Sequence, residues 1–458
     1  MNIRRILIAN RGEIALRIAR TCSRLGIETV LAVSEADRGS MPTRHVTRVV
    51  CIGPSHPSGS YLRPELLVQA ALSTGCDAVH PGYGFLSERA AFARLCEKHR
   101  LIFIGPTSDQ LATAGDKLAA RVTAVEAGVP VAPGAEVQSR QSAQEFAARV
   151  GVPLLVKAAG GGGGRGMKLI ERADQLDAAL ELAAAEAGAA FGDTRLYLER
   201  FVSRARHVEV QILGDGCGNV VHLGERDCSV QRRYQKIIEE TPAPGLPSEL
   251  RMQLHHAAMR FAARLKYRGA GTVEFLVDVT RGEFFFLEMN ARIQVEHAVT
   301  EAVCGLDIVE AQIAIASGEG LRLPRGEAWR EGCAIECRIN AEDPERDFAP
   351  SPGIVKSVRW PTCDSLRIDT HIEAGSAVPP FYDSLLGKII AHGRDRAQAL
   401  ARLRAAVTMT RIEGVATNLG LQAEILSDPE FVSGGVDTGY FARLLARRPV
   451  YAGAVVHG

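Results

Sequence analysis

Five consecutive glycines at residues 160–164 constrain the fold of this chain more than any other feature. An apolar segment that ends at Lys157 precedes them, and a second apolar segment at residues 167–170 follows. A backbone without Cβ atoms can approach phosphate oxygens closely and offer them several N–H donors. We therefore predict two strands joined in a hairpin lid that folds over a nucleotide. A flexible linker is the alternative, although linkers rarely join two apolar strands over so few residues.

The first hundred residues alternate short apolar segments with helical patterns. We predict strands at residues 6–9, 29–33, 78–80 and 101–104, and helices at residues 13–25, 62–72 and 90–98. This alternation is typical of a parallel sheet with helices on its faces. Residues 10–13 follow the first strand and lack the G-x-G-x-x-G pattern, which argues against a dinucleotide site.

A second pattern lies at residues 288–296, where polar and apolar side chains alternate. Successive side chains of an extended chain point to opposite faces. For as long as the segment stays extended, one face would carry Glu288, Asn290, Arg292, Gln294 and Glu296. A half-buried strand with a solvated face explains the alternation equally well.

Glu274 favours a functional interpretation of this pattern. Its neighbours in residues 273–277 are apolar on both faces, and a buried carboxylate needs a partner. A turn at residues 280–282 separates Glu274 from Glu288, as expected for two paired strands. Two carboxylates and an asparagine oxygen on adjacent strands suit Mg²⁺, which prefers oxygen ligands. We therefore predict a metal site at Glu274, Glu288 and Asn290.

Residues 225–236 form a basic run that contains Arg226, Arg232, Arg233 and Lys236. Such a run is usually a solvated surface. Close in sequence to a magnesium site and a glycine-rich lid, a clamp for a triphosphate explains it better. Of the twelve histidines, only His207 is well placed for a site, because it adjoins an apolar strand.

Composition excludes several classes of function. The 54 basic and 53 acidic residues leave a net charge of +1, which gives no electrostatic case for nucleic acid or an anionic membrane. We find no signal-peptide pattern and no run near the ~20 apolar residues that span a bilayer. The ten cysteines are scattered without zinc-ligand spacing. Unpaired thiols without secretory context predict a cytoplasmic protein.

These motifs resemble the biotin carboxylase family of the ATP-grasp superfamily, from residue 8 to about residue 445. The resemblance rests on five stretches in the same order, namely residues 80–88, the glycine run, and residues 225–236, 288–297 and 336–344. It implies an α/β and α+β multidomain fold. The expected domains are a Rossmann-like N-terminal domain at residues 1–114, an ATP-grasp domain at 115–330 with a mobile lid at about 131–203, and a C-terminal biotin carboxylase domain at 331–458.

The resemblance also implies ATP and two Mg²⁺ or Mn²⁺ ions, held by the metal site above. ATP phosphates would contact Lys117 and Lys157, with the backbone of Gly163 and Gly164 closing over them. The other expected nucleotide contacts are Glu199, Arg200, Val202, His207, Gln231 and Tyr234, of which the first three face the adenine. Tyr234 stands where the family usually has a histidine, and tyrosine does not become cationic near neutral pH.

The remaining roles concern the other two substrates that the resemblance implies, bicarbonate and biotin. Bicarbonate would be bound by Lys236, Arg292, Gln294 and Val295. Glu296 would be the general base, and Arg338 would stabilise charge that develops on biotin and carbonate. Tyr83 would line the biotin pocket. The expected catalytic residues are Arg292, Glu296, Arg338 and Lys236.

The implied function is ATP-dependent carboxylation of biotin by bicarbonate, through carboxyphosphate, as the first half-reaction of a biotin-dependent carboxylase. Acetyl-CoA carboxylase is the expected complex; carboxylases of other acyl-CoAs, pyruvate or keto acids are alternatives. Because the sequence lacks an Ala-Met-Lys-Met biotinylation motif, we expect a separate biotin carboxyl carrier protein and a separate carboxyltransferase. The resemblance further implies a homodimer. Another ATP-grasp ligase and a catalytically silent scaffold paralogue are the rival functions.

Overall fold

The computed structural model describes residues 3–159, 167–279, 281–321 and 331–448. Gly163 and Gly164, with the whole glycine run, lie outside the described residues, and so does Thr280 of the predicted turn. No helix in the described ranges is long and apolar enough to span a membrane.

The first part of the chain forms a five-stranded parallel sheet with helices against it, as the alternation predicted. Its elements are β1 (Arg5–Ile8), α1 (Gly12–Arg24), β2 (Glu28–Ser34), β3 (Arg48–Gly53), α2 (Pro64–Ser73), β4 (Ala78–His80), α3 (Ala90–Lys98), β5 (Ile102–Phe103) and α4 (Ser108–Gly115). The strand order is β3-β2-β1-β4-β5. Sequence analysis did not assign β3, an edge strand whose short apolar run at residues 49–52 is largely exposed.

The segment that follows builds a small antiparallel sheet with its own apolar core. Its elements are α5 (Lys117–Glu126), β6 (Gly134–Glu136), α6 (Arg140–Val150), β7 (Leu154–Ala158), β8 (Lys168–Ile170), α7 (Leu176–Phe191) and β9 (Leu196–Arg200). The strand order is β6-β9-β7-β8. Antiparallel pairing of β7 with β8 confirms that the segments on either side of the glycine run form a hairpin. We call this sheet with α6 and α7 the lid unit.

The rest of the chain supplies a larger sheet and the helices that cover it. The elements up to residue 340 are β10 (Arg206–Asp215), β11 (Val220–Arg232), β12 (Gln235–Thr241), α8 (Ser248–Arg264), β13 (Arg268–Asp278), β14 (Glu283–Asn290), α9 (His297–Cys304), α10 (Ile308–Ser317) and β15 (Cys333–Asn340). The later ones are β16 (Glu342–Asp343), β17 (Ala349–Pro350), β18 (Gly353–Ile354), β19 (Ser357–Arg359), β20 (Leu366–Thr370), β21 (Ala377–Val378), β22 (Leu385–Gly393), α11 (Arg396–Met409), β23 (Arg411–Glu413), α12 (Leu419–Ile425), α13 (Pro429–Ser433) and α14 (Tyr440–Ala446).

Eight of these strands form one antiparallel sheet in the order β14-β13-β10-β11-β12-β15-β22-β20. We call it the central sheet. The boundary expected between residues 330 and 331 falls inside it, because β12 pairs directly with β15. Strands from both sides of that boundary therefore contribute side chains to a single surface.

Sequence analysis left two questions open, namely how far the extended segment reaches and whether the basic run is a solvated surface. The extended segment does not reach Glu296, because β14 ends at Asn290 and Glu296 has near-helical backbone angles at the start of α9. The basic run is not a solvated surface, because most of it lies in β11 and β12 in the middle of the central sheet. Arg226 is fully buried there, whereas Arg232 and Arg233 bind Asp347.

Candidate active site

Glu274 and Glu288 lie directly opposite each other on β13 and β14, which confirms the predicted pairing of the two strands. Burial raises the pKa of Glu288, and so does the neighbouring Glu274 carboxylate, while Lys117 opposes the rise. Two carboxylates that repel each other in this way are stabilised by a divalent cation between them. The donor chemistry at this position therefore fits a magnesium or manganese ion.

Asn290 lies on the same face of β14, two residues beyond Glu288. Its amide nitrogen donates to Glu274 Oε1 at 2.8 Å, and its oxygen accepts from Arg292 Nη2 at 3.0 Å. The third predicted metal ligand thus connects the carboxylate pair to the guanidinium that follows it.

His207 and Gln231 lie on the other side of Glu274. The Nε2 atom of His207 is 3.0 Å from Glu274 Oε2, and its Nδ1 atom is 2.8 Å from the Gln231 amide nitrogen. Burial alone would lower the pKa of His207, but the Glu274 carboxylate raises it, and the net direction is upward. The Glu274 carboxylate therefore favours the protonated, positively charged form of this imidazole.

Lys236 occupies the centre of the site, on β12. Its ammonium contacts three buried carboxylates, with distances of 2.5 Å to Glu209, 2.8 Å to Glu274 and 2.7 Å to Glu296. Burial would lower the pKa of Lys236, but these carboxylates hold it well above its ordinary value. The lysine is therefore a fixed positive charge that neutralises carboxylates from three different segments.

Glu296 is fully buried between two cations. One carboxylate oxygen is 2.7 Å from Lys236 Nζ, and the other is 2.8 Å from Arg338 Nη2. Burial alone would raise the pKa of Glu296, yet Lys236, Arg338 and Arg226 hold it well below its ordinary range. The carboxylate is thus ionised and ready to accept a proton once a cation is drawn away from it.

Arg338 lies on β15 and binds a second carboxylate, Glu239, to which its Nε donates at 2.6 Å. Glu239 is fully buried, and burial raises its pKa to about 7 although Arg338 acts in the opposite direction. The Arg338 guanidinium therefore bridges Glu239 and Glu296, and its orientation is fixed from two sides.

Arg292 lies just beyond β14 and is held by Glu88, whose carboxylate accepts from its Nε at 2.8 Å. Glu88 also accepts from the backbone N–H of Ala291 at 3.1 Å. Sequence analysis quoted Glu88 within the motif at residues 80–88 but gave it no role. The Nη1 atom of Arg292 also donates to the Gln294 side chain at 3.3 Å, so two of the predicted bicarbonate contacts lie side by side.

Two further buried residues, Glu209 and Glu239, were missed, and a third, Arg226, was named only as part of the basic run. Arg226 donates to Glu209 at 2.6 Å, and the two are cross-strand partners on β10 and β11. Glu209 lies between two valines, so it carries the same signal that identified Glu274, a charged residue among apolar neighbours. Arg226 and Glu239 each adjoin another charged residue and lack that signal.

The residues predicted to bind the nucleotide form fewer ion pairs, within the described parts of the chain, than the residues around Glu296. Lys157 is buried on β7 and contacts Glu199 on β9 at 2.8 Å, so two predicted nucleotide residues bind each other. Lys117 begins α5, and burial lowers its pKa. The backbone N–H of Arg200 donates to the Pro133 carbonyl at 2.8 Å, and its guanidinium lies over Phe285. Val202 is half-buried just beyond β9.

Tyr234 lies at the turn between β11 and β12, and its side chain is 57% exposed. Arg233 and Tyr234 both have positive φ angles, of 48° and 65°, which a two-residue hairpin turn requires. The structure therefore places Tyr234 at the rim, away from the buried charges around Lys236.

Tyr83 lines a cavity of about 340 Å³ between the start of α1 and the loop before β22. Its hydroxyl donates to the buried carboxylate of Glu13. Phe381, Tyr382 and Asp383 also line this cavity. A cavity with aromatic walls and a few polar groups is the usual form of a site for a small organic ligand.

Three family descriptions match successive parts of the chain. These are "Biotin carboxylase, N-terminal domain" at residues 2–111, "Carbamoyl-phosphate synthase L chain, ATP binding domain" at 116–324 and "Biotin carboxylase C-terminal domain" at 336–443. A biotin carboxylase from Nostoc is 48% identical over 442 residues, which cover 96% of this chain and 99% of that protein. One from Pseudomonas aeruginosa is 47% identical, with 97% and 99% covered.

Solved structures agree with these sequence similarities. A biotin carboxylase from Campylobacter jejuni, in a β,γ-ATP complex, superposes with a TM-score of 0.93 at 42% identity, over 96% of this chain and 99% of the other. The biotin carboxylase domain dimer of the Hydrogenobacter thermophilus 2-oxoglutarate carboxylase, with MgADP, ADP and bicarbonate, also reaches 0.93, at 41% identity over 97% and 98%.

Proposed function

The chain belongs to the biotin carboxylase family, and from this premise we infer that it carboxylates biotin with bicarbonate at the expense of ATP. It is an ATP-grasp ligase, and this is the first half-reaction of a biotin-dependent carboxylase. One observation supports the assignment of residues most strongly: Glu296 is buried between Lys236 and Arg338 and is kept ionised by them.

For the nucleotide, we propose the contacts that the resemblance implies. Mg²⁺ or Mn²⁺ held by Glu274, Glu288 and Asn290 would neutralise charge on the ATP phosphates. The other contacts would be Lys117, Lys157, Gly163, Gly164, Glu199, Arg200, Val202, His207, Gln231 and Tyr234. Because Lys157 is bound to Glu199, ATP phosphates must share or displace that carboxylate when they bind.

For the first chemical step, we propose that bicarbonate binds among Arg292, Gln294, Val295 and Lys236. An anion that draws Lys236 toward itself weakens the contact between Lys236 and Glu296. The pKa of Glu296 then rises from its depressed value, because one of its two neutralising cations is shared. Glu296 thereby becomes a base only when bicarbonate is present. Deprotonated bicarbonate attacks the γ-phosphorus of ATP and yields carboxyphosphate and ADP.

For the second step, we propose that biotin enters the cavity lined by Tyr83. Carboxyphosphate separates into CO₂ and phosphate, and phosphate takes the ureido proton of biotin. The Arg338 guanidinium, fixed by Glu239 and Glu296, stabilises the negative oxygen that develops on the ureido group. The nitrogen then captures CO₂.

We propose a separate biotin carboxyl carrier protein and a separate carboxyltransferase as partners, a homodimer as the assembly and the cytoplasm as the location. Acetyl-CoA carboxylase is the complex that we favour. The resemblance supports this choice, since the relatives of 48% and 47% identity carry the name biotin carboxylase without a named acceptor. Transfer of labelled carboxyl groups to acetyl-CoA, pyruvate and 2-oxoglutarate by material copurified with the chain identifies the acceptor.

The reaction itself is tested with purified protein and free biotin. ADP release in the presence of Mg²⁺ should require bicarbonate and increase on addition of biotin. ATP hydrolysis that ignores both compounds would indicate another ATP-grasp ligase. Nucleotide binding without turnover would indicate a silent scaffold.

A further inference from the structure

A second buried cation, Lys388, lies beside Arg338 and has no part in the mechanism described above. Arg338 and Lys388 are direct cross-strand partners on β15 and β22, so their side chains leave the same face of the central sheet. The Lys388 side chain is fully buried. An ammonium in such a place needs hydrogen-bond acceptors and negative charge around it.

The nearest acceptor is a backbone group of the active site. Lys388 Nζ donates to the Val295 carbonyl at 2.6 Å, across 93 residues of sequence. That carbonyl and the N–H of Glu296 belong to one peptide plane. Lys388 therefore holds the main chain that leads into Glu296, while Arg338 holds the carboxylate of the same residue. The two cross-strand cations therefore bind consecutive residues, Val295 and Glu296.

Three carboxyl groups from different elements face Lys388. Glu13 on α1 is 3.3 Å from Nζ, and Asp369 on β20 is 3.8 Å away. Glu336 on β15 is the third, and neither of its oxygens has a hydrogen-bond partner within the described residues. Arg367 binds Asp369 and takes up much of its charge. Burial raises the pKa of both Glu13 and Glu336, but Glu13 lies nearest to Nζ and is the carboxyl group that does most to hold the pKa of Lys388 above its ordinary value.

Glu13 extends the same network to the cavity. Its Oε1 atom accepts from the Tyr83 hydroxyl, and the same oxygen is the Glu13 atom nearest to Lys388 Nζ. A continuous chain of contacts thus runs from the wall of the cavity through Glu13 and Lys388 to the Val295 carbonyl.

We propose that Lys388 is a positioning residue that fixes the peptide plane between Val295 and Glu296, and that it thereby sets the bicarbonate subsite relative to the Tyr83 wall. This inference rests on the proposed function. In this arrangement Lys388 contacts neither bicarbonate nor biotin. It acts through Val295 and Glu296, which belong to the proposed bicarbonate subsite. Its removal should weaken bicarbonate binding and leave ATP binding intact.

The test compares Glu13→Gln with the double variant Lys388→Met/Glu13→Gln. Glutamine at position 13 can still accept from Tyr83, and Lys388 keeps the Val295 carbonyl and the Asp369 carboxylate, so the single variant should keep the bicarbonate KM within about threefold of wild type. The double variant removes the donor to Val295 without leaving Glu13 as an uncompensated buried charge. Its bicarbonate KM should rise about tenfold to a hundredfold, as for loss of a charged hydrogen bond. Its ATP KM should stay within about threefold.

Arg396→Met/Glu240→Gln is the matched control, because it also removes an ion pair 2.6 Å long, between the buried Glu240 and the half-buried Arg396, and neither residue has a proposed role in the site. It should change thermal stability without changing the bicarbonate KM. Circular dichroism melts establish that each variant is folded. Should the double variant not fold, Lys388→Met/Glu336→Gln repeats the experiment against the other facing carboxyl group.

An unchanged bicarbonate KM in a folded variant that lacks Lys388 would overturn the inference. An equal rise in both KM values, or loss of folding in both double variants, would overturn it in favour of a purely structural role. Failure of the proposed function is recognised separately, because wild type would then show no bicarbonate-dependent ADP release in the same assay.

Discussion

The inorganic-carbon centre and the nucleotide side of the site differ in how completely their charges are paired by folding. Around Glu296, each cation binds at least one carboxylate, and Lys236 binds three. On the nucleotide side, Lys157 is paired within the described residues with Glu199 alone, which the small lid unit with its own core contributes. The charges of the carbon centre are thus already paired in the folded protein, whereas on the nucleotide side ATP replaces contacts that the protein makes with itself. We therefore expect substitutions around Glu296 to lower turnover more than substitutions on the nucleotide side.

Glu296→Gln is the strongest test of this difference. It removes the base and leaves Lys236 and Arg338 each with one fewer carboxylate, so bicarbonate-dependent turnover should fall by about 10²–10⁴. Steady-state ADP release measures the effect, and Glu249→Gln on an exposed face of α8 is the matched control. Turnover close to wild type would remove Glu296 from its proposed role.

Arg338→Lys should have the next largest effect. Lysine lacks the planar fork that lets one side chain bridge Glu239 and Glu296, and loss of such a bidentate contact should lower biotin carboxylation about a hundredfold. Carboxybiotin formation is the measurement, with Arg359→Lys on the surface as control. Normal carboxyl transfer by the Arg338 variant would show that the fork has no catalytic use.

Lys157→Met examines the nucleotide side. Loss of one charged contact to phosphate should raise the ATP KM about tenfold, and the variant also leaves Glu199 without its ammonium partner. The bicarbonate KM should not change, and Lys98→Met on α3 serves as control. A fall in turnover as large as that expected for Glu296→Gln would show that the two regions do not differ in this way.

Tyr234→His should have the smallest effect. The side chain is 57% exposed at a hairpin turn, so we expect the ATP KM to stay within about threefold at pH 8 and stability to change by no more than about 0.5 kcal/mol. Titration of the ATP KM down to pH 6 adds a second readout, because only the histidine variant gains positive charge there. A tenfold change at pH 8 would contradict this expectation and show that ATP binding depends strongly on the side chain at position 234.

Local patterns predicted the parallel sheet, the hairpin on either side of the glycine run and the pairing of the strands that carry Glu274 and Glu288. They did not predict the partners that orient the site. Glu88 is 204 residues from Arg292, Glu239 is 99 residues from Arg338, and Lys388 is 93 residues from Val295. Periodicity reports which face a side chain occupies, but not which distant segment meets that face. The end of β14 at Asn290 was missed for the same reason, since the contacts that bend the chain there come from elsewhere.

The direct pairing of β12 with β15 has a consequence for any attempt to divide this enzyme into pieces. A cut between residues 321 and 331 would fall outside both strands, yet it would separate a fragment carrying Lys236 from one carrying Arg338. Each fragment alone would expose a sheet edge whose main-chain hydrogen-bonding groups are unpaired, which favours aggregation. Coexpressed, the same fragments should find each other through those main-chain hydrogen bonds, which would make this enzyme a candidate for split-protein reconstitution.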